Sequence, residues 1–182
     1  MSRTIMTATI VALLLACTLG TASAGAASPC ARASTPPTSS TLTQASVSIL
    51  CLVNRERRSR GLRSVRTSRA LTSAARAHTR DMIVRGFFAH VDPDGVTPRR
   101  RAARAGYAGG AAKALIEEAL AFGTAQLSTP RRLVRMLMAD PHHRRTLLGR
   151  HWRHIGIGIA IGAPGLDVPG RGATLTLNFG RP

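Results

Sequence analysis

Few residues in this chain can do chemistry, and little in their local spacing organises them. Six histidines, eight acidic residues and three cysteines stand among 182 positions. A serine hydrolase would need a Gly-x-Ser-x-Gly elbow, and a zincin protease His-Glu-x-x-His; the sequence has neither. His151-x-x-His154 alone is thin support for a metal site. Gly156-x-Gly158 sits inside a strand pattern and lacks the rest of a dinucleotide fingerprint. His78 falls on the apolar side of a helical pattern and reads as a hydrogen-bonded core residue, while His142, His151 and His154 read as surface residues. Arg99-Arg100-Arg101, with Arg104, forms a basic ridge whose ordinary meaning is a solvated helix face.

The cysteines carry more information. Leu14-Leu15-Ala16-Cys17 resembles a bacterial lipobox, in which Cys17 would be acylated and anchor the protein to a membrane. The competing reading is ordinary signal cleavage. Arg3 supplies a positive n-region, residues 10–16 centre a short apolar run, and Ala22-Ser23-Ala24 fits an A-x-A site. Removing residues 1–24 as a signal peptide leaves Cys30 and Cys51, an even pair suited to an oxidising compartment. A disulfide between them would tie the N-terminal tail to the first helix and contribute about 3 kcal/mol. Metal binding by the two is the weaker alternative, because no second pair completes a zinc site.

Composition narrows the class of partner. The formal charge is +18, with 26 Lys plus Arg, yet Lys113 is the only lysine. Phosphate binding normally recruits both cations, so the arginine excess reads as coding bias, with peripheral contact to an anionic cell surface as its physical consequence. Aromatics make up 3% of the chain, too few for a surface built to stack bases. Nucleic acid is therefore not expected as a partner. A hydrophobic content of 44% is enough to build one core.

The elements that must position these groups follow from periodicity. Residues 25–41 are small, polar and proline-containing, a flexible Ser/Thr/Pro linker. A capping box at Thr41-x-x-Gln44 opens the first helix, with Ala45, Ile49, Leu52 and Val53 inward and Gly61 as its stop. A second helix runs from a Ser68 cap to Gly86, with Leu71, Ala74, Ala75, His78 and Met82 on one face. Thr97-Pro98 and Thr129-Pro130 start two more helices, and Asp140-Pro141 begins a further turn ending near Gly149. From Ile155 the period becomes two: Ile155, Ile157, Ile159 and Ile161, then Leu175, Leu177 and Phe179. Helices first and strands last indicate an α+β domain with an antiparallel strand pair.

Several segments together resemble the bacterial branch of the CAP superfamily, secreted domains related to cysteine-rich secretory and plant pathogenesis-related proteins. They are Leu52-Val53-Asn54-Arg55-Glu56-Arg57, Ala74 to Met82, and Gly86-Phe87-Phe88-Ala89-His90 with Pro93-Asp94-Gly95. Glu118-x-Leu120-Ala121-Phe122-Gly123, Asp140-Pro141-His142-His143-Arg144, Ile155 to Gly158 and Thr176 to Gly180 complete the set. The resemblance covers residues 42–182 as one domain. It implies an α-β-α sandwich with a small antiparallel sheet between helical layers. It also implies an open cleft lined by two histidines and a carboxylate, which fall on His90, Glu118 and His143. Such a trio suits a divalent metal such as zinc with one position open for water, or a metal-free hydrogen-bonding cluster.

The sequence departs from that family's pattern where it matters. Glu117 and Ala119 replace the glycine and asparagine flanking Glu118. Phe122 and Leu137 stand at tryptophan positions, and Thr146 at an asparagine. The second acidic residue of animal members has no clear counterpart, which weakens a metal site. Glu117 could compensate only if it shared the face of Glu118, and an extended strand would turn it away. The expectation is an exported, monomeric, non-catalytic module binding a lipid, a cell-wall component or a protein. The alternatives are a metal-dependent hydrolase on the same trio and a polyanion binder.

Overall fold

The computed structural model describes residues 30–110, 114–166 and 172–182. The signal segment 1–24 and Cys17 lie outside the described residues. Among those described are five α-helices: α1 Leu42–Arg58, α2 Arg69–Arg85, α3 Pro98–Arg104, α4 Pro130–Ala139 and α5 Pro141–Leu147. Four strands, β1 Arg66–Thr67, β2 Leu115–Thr124, β3 His154–Ile161 and β4 Gly172–Arg181, form one sheet in the order β1-β3-β4-β2. β3 and β4 are antiparallel neighbours, as the period-two pattern indicated, and β2, which that pattern did not include, pairs antiparallel with β4 on its other side. β1 adds a correction, because it pairs parallel to β3 over only two residues, Arg66 with His154 and Thr67 with Ile155, and makes the sheet mixed. A two-residue strand has no periodicity for a sequence pattern to report.

Strand parity sorts the sheet into two unlike faces. Ile155, Ile157, Ile159, Leu175, Leu177, Phe179, Ala119 and Ala121 bury an apolar face against α1 and α4, and this is the main core. The opposite face carries Gly156, Gly158, Thr174, Thr176, Asn178 and Glu118, and α2 lies on it with α3 beside β2. The glycines are the reason α2 can approach. A Cβ at Gly156 would stand 2.1 Å from the Leu71 carbonyl carbon, and one at Gly158 would stand 2.3 Å from the Ala75 oxygen. Gly156-x-Gly158 is thus a helix-packing device. Thr79 seals the contact, its hydroxyl 2.8 Å from both the Ala75 carbonyl and Thr176 Oγ1.

Most caps fall where the sequence puts them. Ser68, Thr97, Thr129 and Asp140 each accept a backbone N–H from the first turn of α2, α3, α4 and α5, and Gly86 ends α2 at φ 70°. The box at Thr41 is a correction: its hydroxyl receives the Thr38 N–H at 2.8 Å and makes no cap bond to α1. The preceding 3-10 turn, Ser39–Thr41, already holds that group.

The described part of the 25–41 segment is also more fixed than a linker. Cys30 and Cys51 form the disulfide, with Cα atoms 5.6 Å apart. Ala33 is fully buried in the main core, and its carbonyl accepts the Arg131 N–H at 2.8 Å. Arg57, fully buried, donates to the carbonyls of Arg63, Leu147 and Gly149 and so binds α1 to two loops. Burial, followed by repulsion from Arg153, lowers its pKa from the ordinary arginine value.

Candidate functional site

The polar face of the sheet places one carboxylate under the helices. Glu118 lies on β2, opposite Asn178 of β4, and its side chain is 1% exposed. The extended strand turns Glu117 to the other face, where it is exposed. A charge buried that deeply needs partners, and Glu118 has three nearby. Arg101 of α3 sends one guanidinium nitrogen to both carboxylate oxygens, at 3.2 and 3.0 Å. The Nδ1 of His90 stands 3.0 Å from Oε1, and the Nε2 of His78 stands 3.7 Å from the same oxygen.

Arg101 is the main correction to the sequence reading. Its neighbours Arg99 and Arg100 are exposed, but its own side chain is 9% exposed. Besides Glu118, it donates to the Val96 carbonyl and the His90 carbonyl, both at 2.7 Å. It therefore fixes the loop that carries His90. Asp92 joins the cluster as the acidic residue the sequence reading missed. Its Oδ1 accepts the N–H groups of Asp94 and Val96, and its Oδ2 lies 3.8 Å from Arg101. A signal was available: the helical stripe puts Arg101 with Ala102 on the buried side of α3, and an arginine there must find a carboxylate.

The histidines divide into two roles. His78 is buried, as its place on α2 indicates, and its Nε2–H donates to the Ala89 carbonyl at 2.9 Å. Burial lowers its pKa, opposed by Glu118 and reinforced by Arg101. His90 is 45% exposed at the side chain. With Nδ1–H donating to the carboxylate, Nε2 is left as the free ring nitrogen. Phe88 is partly exposed beside it and packs edge-on to Phe122, with ring centroids 4.9 Å apart.

His143 stands apart from the Glu118 contacts. It lies in the first turn of α5, where its N–H donates to Asp140 Oδ1 at 2.8 Å and its Nδ1 is 3.4 Å from the same oxygen. Burial lowers its pKa first, Asp140 opposes that, and His142 and His90 repel its charge. Among the described residues no hydrogen bond joins His143 to His90 or to Glu118. His154 is not a bare surface residue, since its Nδ1 meets the Tyr107 hydroxyl at 2.9 Å, and His151 packs at a tilt against Trp152, with ring centroids 4.0 Å apart. The family-variant positions have structural duties. Leu137 is in the main core, and the Thr146 carbonyl receives the indole N–H of the buried Trp152 at 2.8 Å.

A divalent metal does not fit this arrangement. Both oxygens of Glu118 face the Arg101 guanidinium, so a second cation would meet an existing one at the same carboxylate. Among the described residues, no group of three or more His, Cys, Asp or Glu side chains could hold an ion.

A mixed, mainly antiparallel sheet covered by helices on both faces, with a histidine–carboxylate cluster under one layer, defines an α-β-α sandwich. Residues 50–179 match the cysteine-rich secretory protein family, and the chain belongs to that family, also called CAP. No curated protein matches the sequence. Solved structures that share the fold include two bacterial proteins. One is an outer surface protein of Borrelia burgdorferi, with 18% identity, a TM-score of 0.59, and coverage of 73% of this chain and 89% of that one. The other is an extracellular protein containing an SCP domain from Bacillus anthracis, with 23% identity, a TM-score of 0.63, and coverage of 81% of this chain and 45% of that one.

Proposed function

We propose that the protein is an exported CAP domain of the bacterial cell envelope or extracellular space, acting as a non-catalytic binding module. The ligand meets the mouth of the cleft at His90 and His143, with Glu118 beneath as the group that orients His90. The observation carrying this reading is the occupation of Glu118 by Arg101 and His90. A carboxylate neutralised in this way is a poor general base and a poor metal ligand. Its remaining use is to hold His90 in one tautomer with Nε2 outward. These structural relatives, an outer surface protein and an extracellular protein, support the location.

The candidate ligands are a lipid, a cell-wall component or a protein, each of which can place a hydrogen-bonding group on His90 Nε2 and an apolar group on Phe88. The test has two arms. Calorimetric titration with zinc is expected to show no stoichiometric binding. Co-sedimentation with isolated cell walls and with envelope-lipid vesicles is expected to fall about tenfold in the His90→Ala/His143→Ala variant, whose changes lie at the cleft mouth. One zinc per chain, lost in that variant, would instead support a metal-dependent hydrolase. Retention unchanged by the substitutions would move the ligand site elsewhere.

A further inference from the structure

On the side of the sheet away from β4, most of β3 has no strand beside it among the described residues. β1 pairs with it only at His154 and Ile155, and the last bond on that side runs from the Ser68 N–H to the Ile155 carbonyl at 2.9 Å. The chain then leaves the sheet and enters α2 at Arg69. Because backbone groups alternate sides along a strand, the N–H and C=O groups of Ile157 and Ile159 share the outward direction of Ile155. Among the described residues, no backbone group bonds them there. Unpaired edge groups are a template for another strand.

The Ile157 part of this edge lines a groove of about 730 Å³ between α1 and α2, and Ile157 is the one β3 residue that does so. The two walls differ in chemistry. On the α1 side stand Val47, 48% exposed, and Leu50. On the α2 side stand Arg69, Arg76 and Arg80, all exposed, and none makes an ion pair with a described residue. No acidic residue lines the groove. Arg69 also occupies the first position of α2, whose first turn contains no acidic residue. A cation there opposes the helix dipole, so that end of the groove favours an anion twice over.

From this geometry we infer that the groove is a docking site for an acidic, extended segment of a partner protein, which adds a strand to β3 beyond β1. In a strand seated on this edge, alternate side chains point to opposite faces of the sheet. One set therefore meets Val47 and Leu50 and the other meets the arginines, which calls for apolar and acidic residues in strict alternation. The spacing agrees. Arg76 and Arg80 are one helical turn apart, about 6 Å along the axis, and alternate strand residues are about 6.6 Å apart. Main-chain bonds to Ile157 and Ile159 supply affinity, and the two walls supply selectivity. This site is on the opposite edge of the fold from β2 and is independent of the His90 cleft.

The probe is an acetylated heptapeptide alternating glutamate and valine, titrated into the purified protein by fluorescence anisotropy, with amide exchange followed by NMR. Binding is expected together with slowed exchange at the Ile157 and Ile159 amides. Affinity should fall at least tenfold in Arg76→Glu/Arg80→Glu and stay within threefold in Arg132→Glu/Arg135→Glu, which makes the same charge change on α4. N-methylation separates strand addition from simple charge attraction. Methylating all the valines or all the glutamates should abolish binding in one case and spare it in the other, because only one set of amides faces β3. The proposal is overturned if the heptapeptide does not bind or if both methylated peptides bind alike. It is equally overturned if an anionic glycan binds as tightly with the same loss in Arg76→Glu/Arg80→Glu, which would mark a polyanion site.

Discussion

Replacing Arg101 by methionine tests whether the cleft is organised by an internal cation. The substitution keeps the apolar stem and removes the guanidinium, which leaves Glu118, 1% exposed at its side chain, with only histidine partners. Removing one member of a buried ion pair costs about 3–5 kcal/mol, because the remaining charge has lost both water and its partner. The bonds to the Val96 and His90 carbonyls go as well, which places the expectation at the upper half of that range. For a chain of this size each kcal/mol lowers the melting temperature by about 2–4 °C, so a fall of about 10–15 °C is expected by circular dichroism. Glu118→Gln should cost a comparable amount by stranding Arg101. The double variant Arg101→Met/Glu118→Gln should then be more stable than the sum of the single losses predicts, by about 2 kcal/mol. An Arg101→Met loss below about 1 kcal/mol, or strict additivity in the cycle, would refute the account.

Further consequences concern the pH response, the sheet and the disulfide. His78 and His143 have pKa values held below the ordinary 6.5 mainly by burial, so the unfolded chain binds more protons than the native one just below that pH. Stability should be full above about pH 6.5 and fall on acidification, and His78→Gln should flatten the urea midpoint between pH 7.5 and 5.5; an unchanged slope would remove His78 from the effect. Gly158→Ala puts a Cβ 2.3 Å from the Ala75 oxygen and must lift α2 off β3, at a cost of about 3 kcal/mol; a thermal melt within 2 °C of the parent would contradict the packing. Breaking the Cys30–Cys51 bond, which closes a separation of 21 residues, should cost about 3 kcal/mol. Cys30→Ser/Cys51→Ser should also raise amide exchange at Arg131, whose N–H is held by Ala33.

Much of the scaffold was legible because local rules wrote it. Ser68, Thr97, Thr129 and Asp140 cap helices that begin where the pattern says, since a cap acts within one turn. The isoleucine ladder of β3 and the alternation in β4 gave both strands and their inward face. β1 and the fixed course of residues 30–38 were not legible, because each depends on partners distant in the chain, β3 for one and α4 with Cys51 for the other. Only the resemblance grouped His90, Glu118 and His143; in the structure His90 Nδ1 stands 3.0 Å from Glu118, while His143 bonds Asp140 instead. The same resemblance did not report that Arg101 completes the contact, because the carboxylate that receives it stands on a separate element, β2.

By itself, then, the sequence determined the helices and the strands β3 and β4. These follow from steric and hydrogen-bonding rules acting over a few residues. Tertiary structure alone decided which charges meet. α3 and β2 have to pack before Arg101 can neutralise Glu118, and only then does the carboxylate become a support for His90. It also decided that β3 is unpaired beyond Ile155 on that side among the described residues, because β1 ends after two residues where the chain turns into α2. Pairing of buried charges and pairing of backbone edges are properties of three-dimensional proximity, which spacing along the chain does not encode.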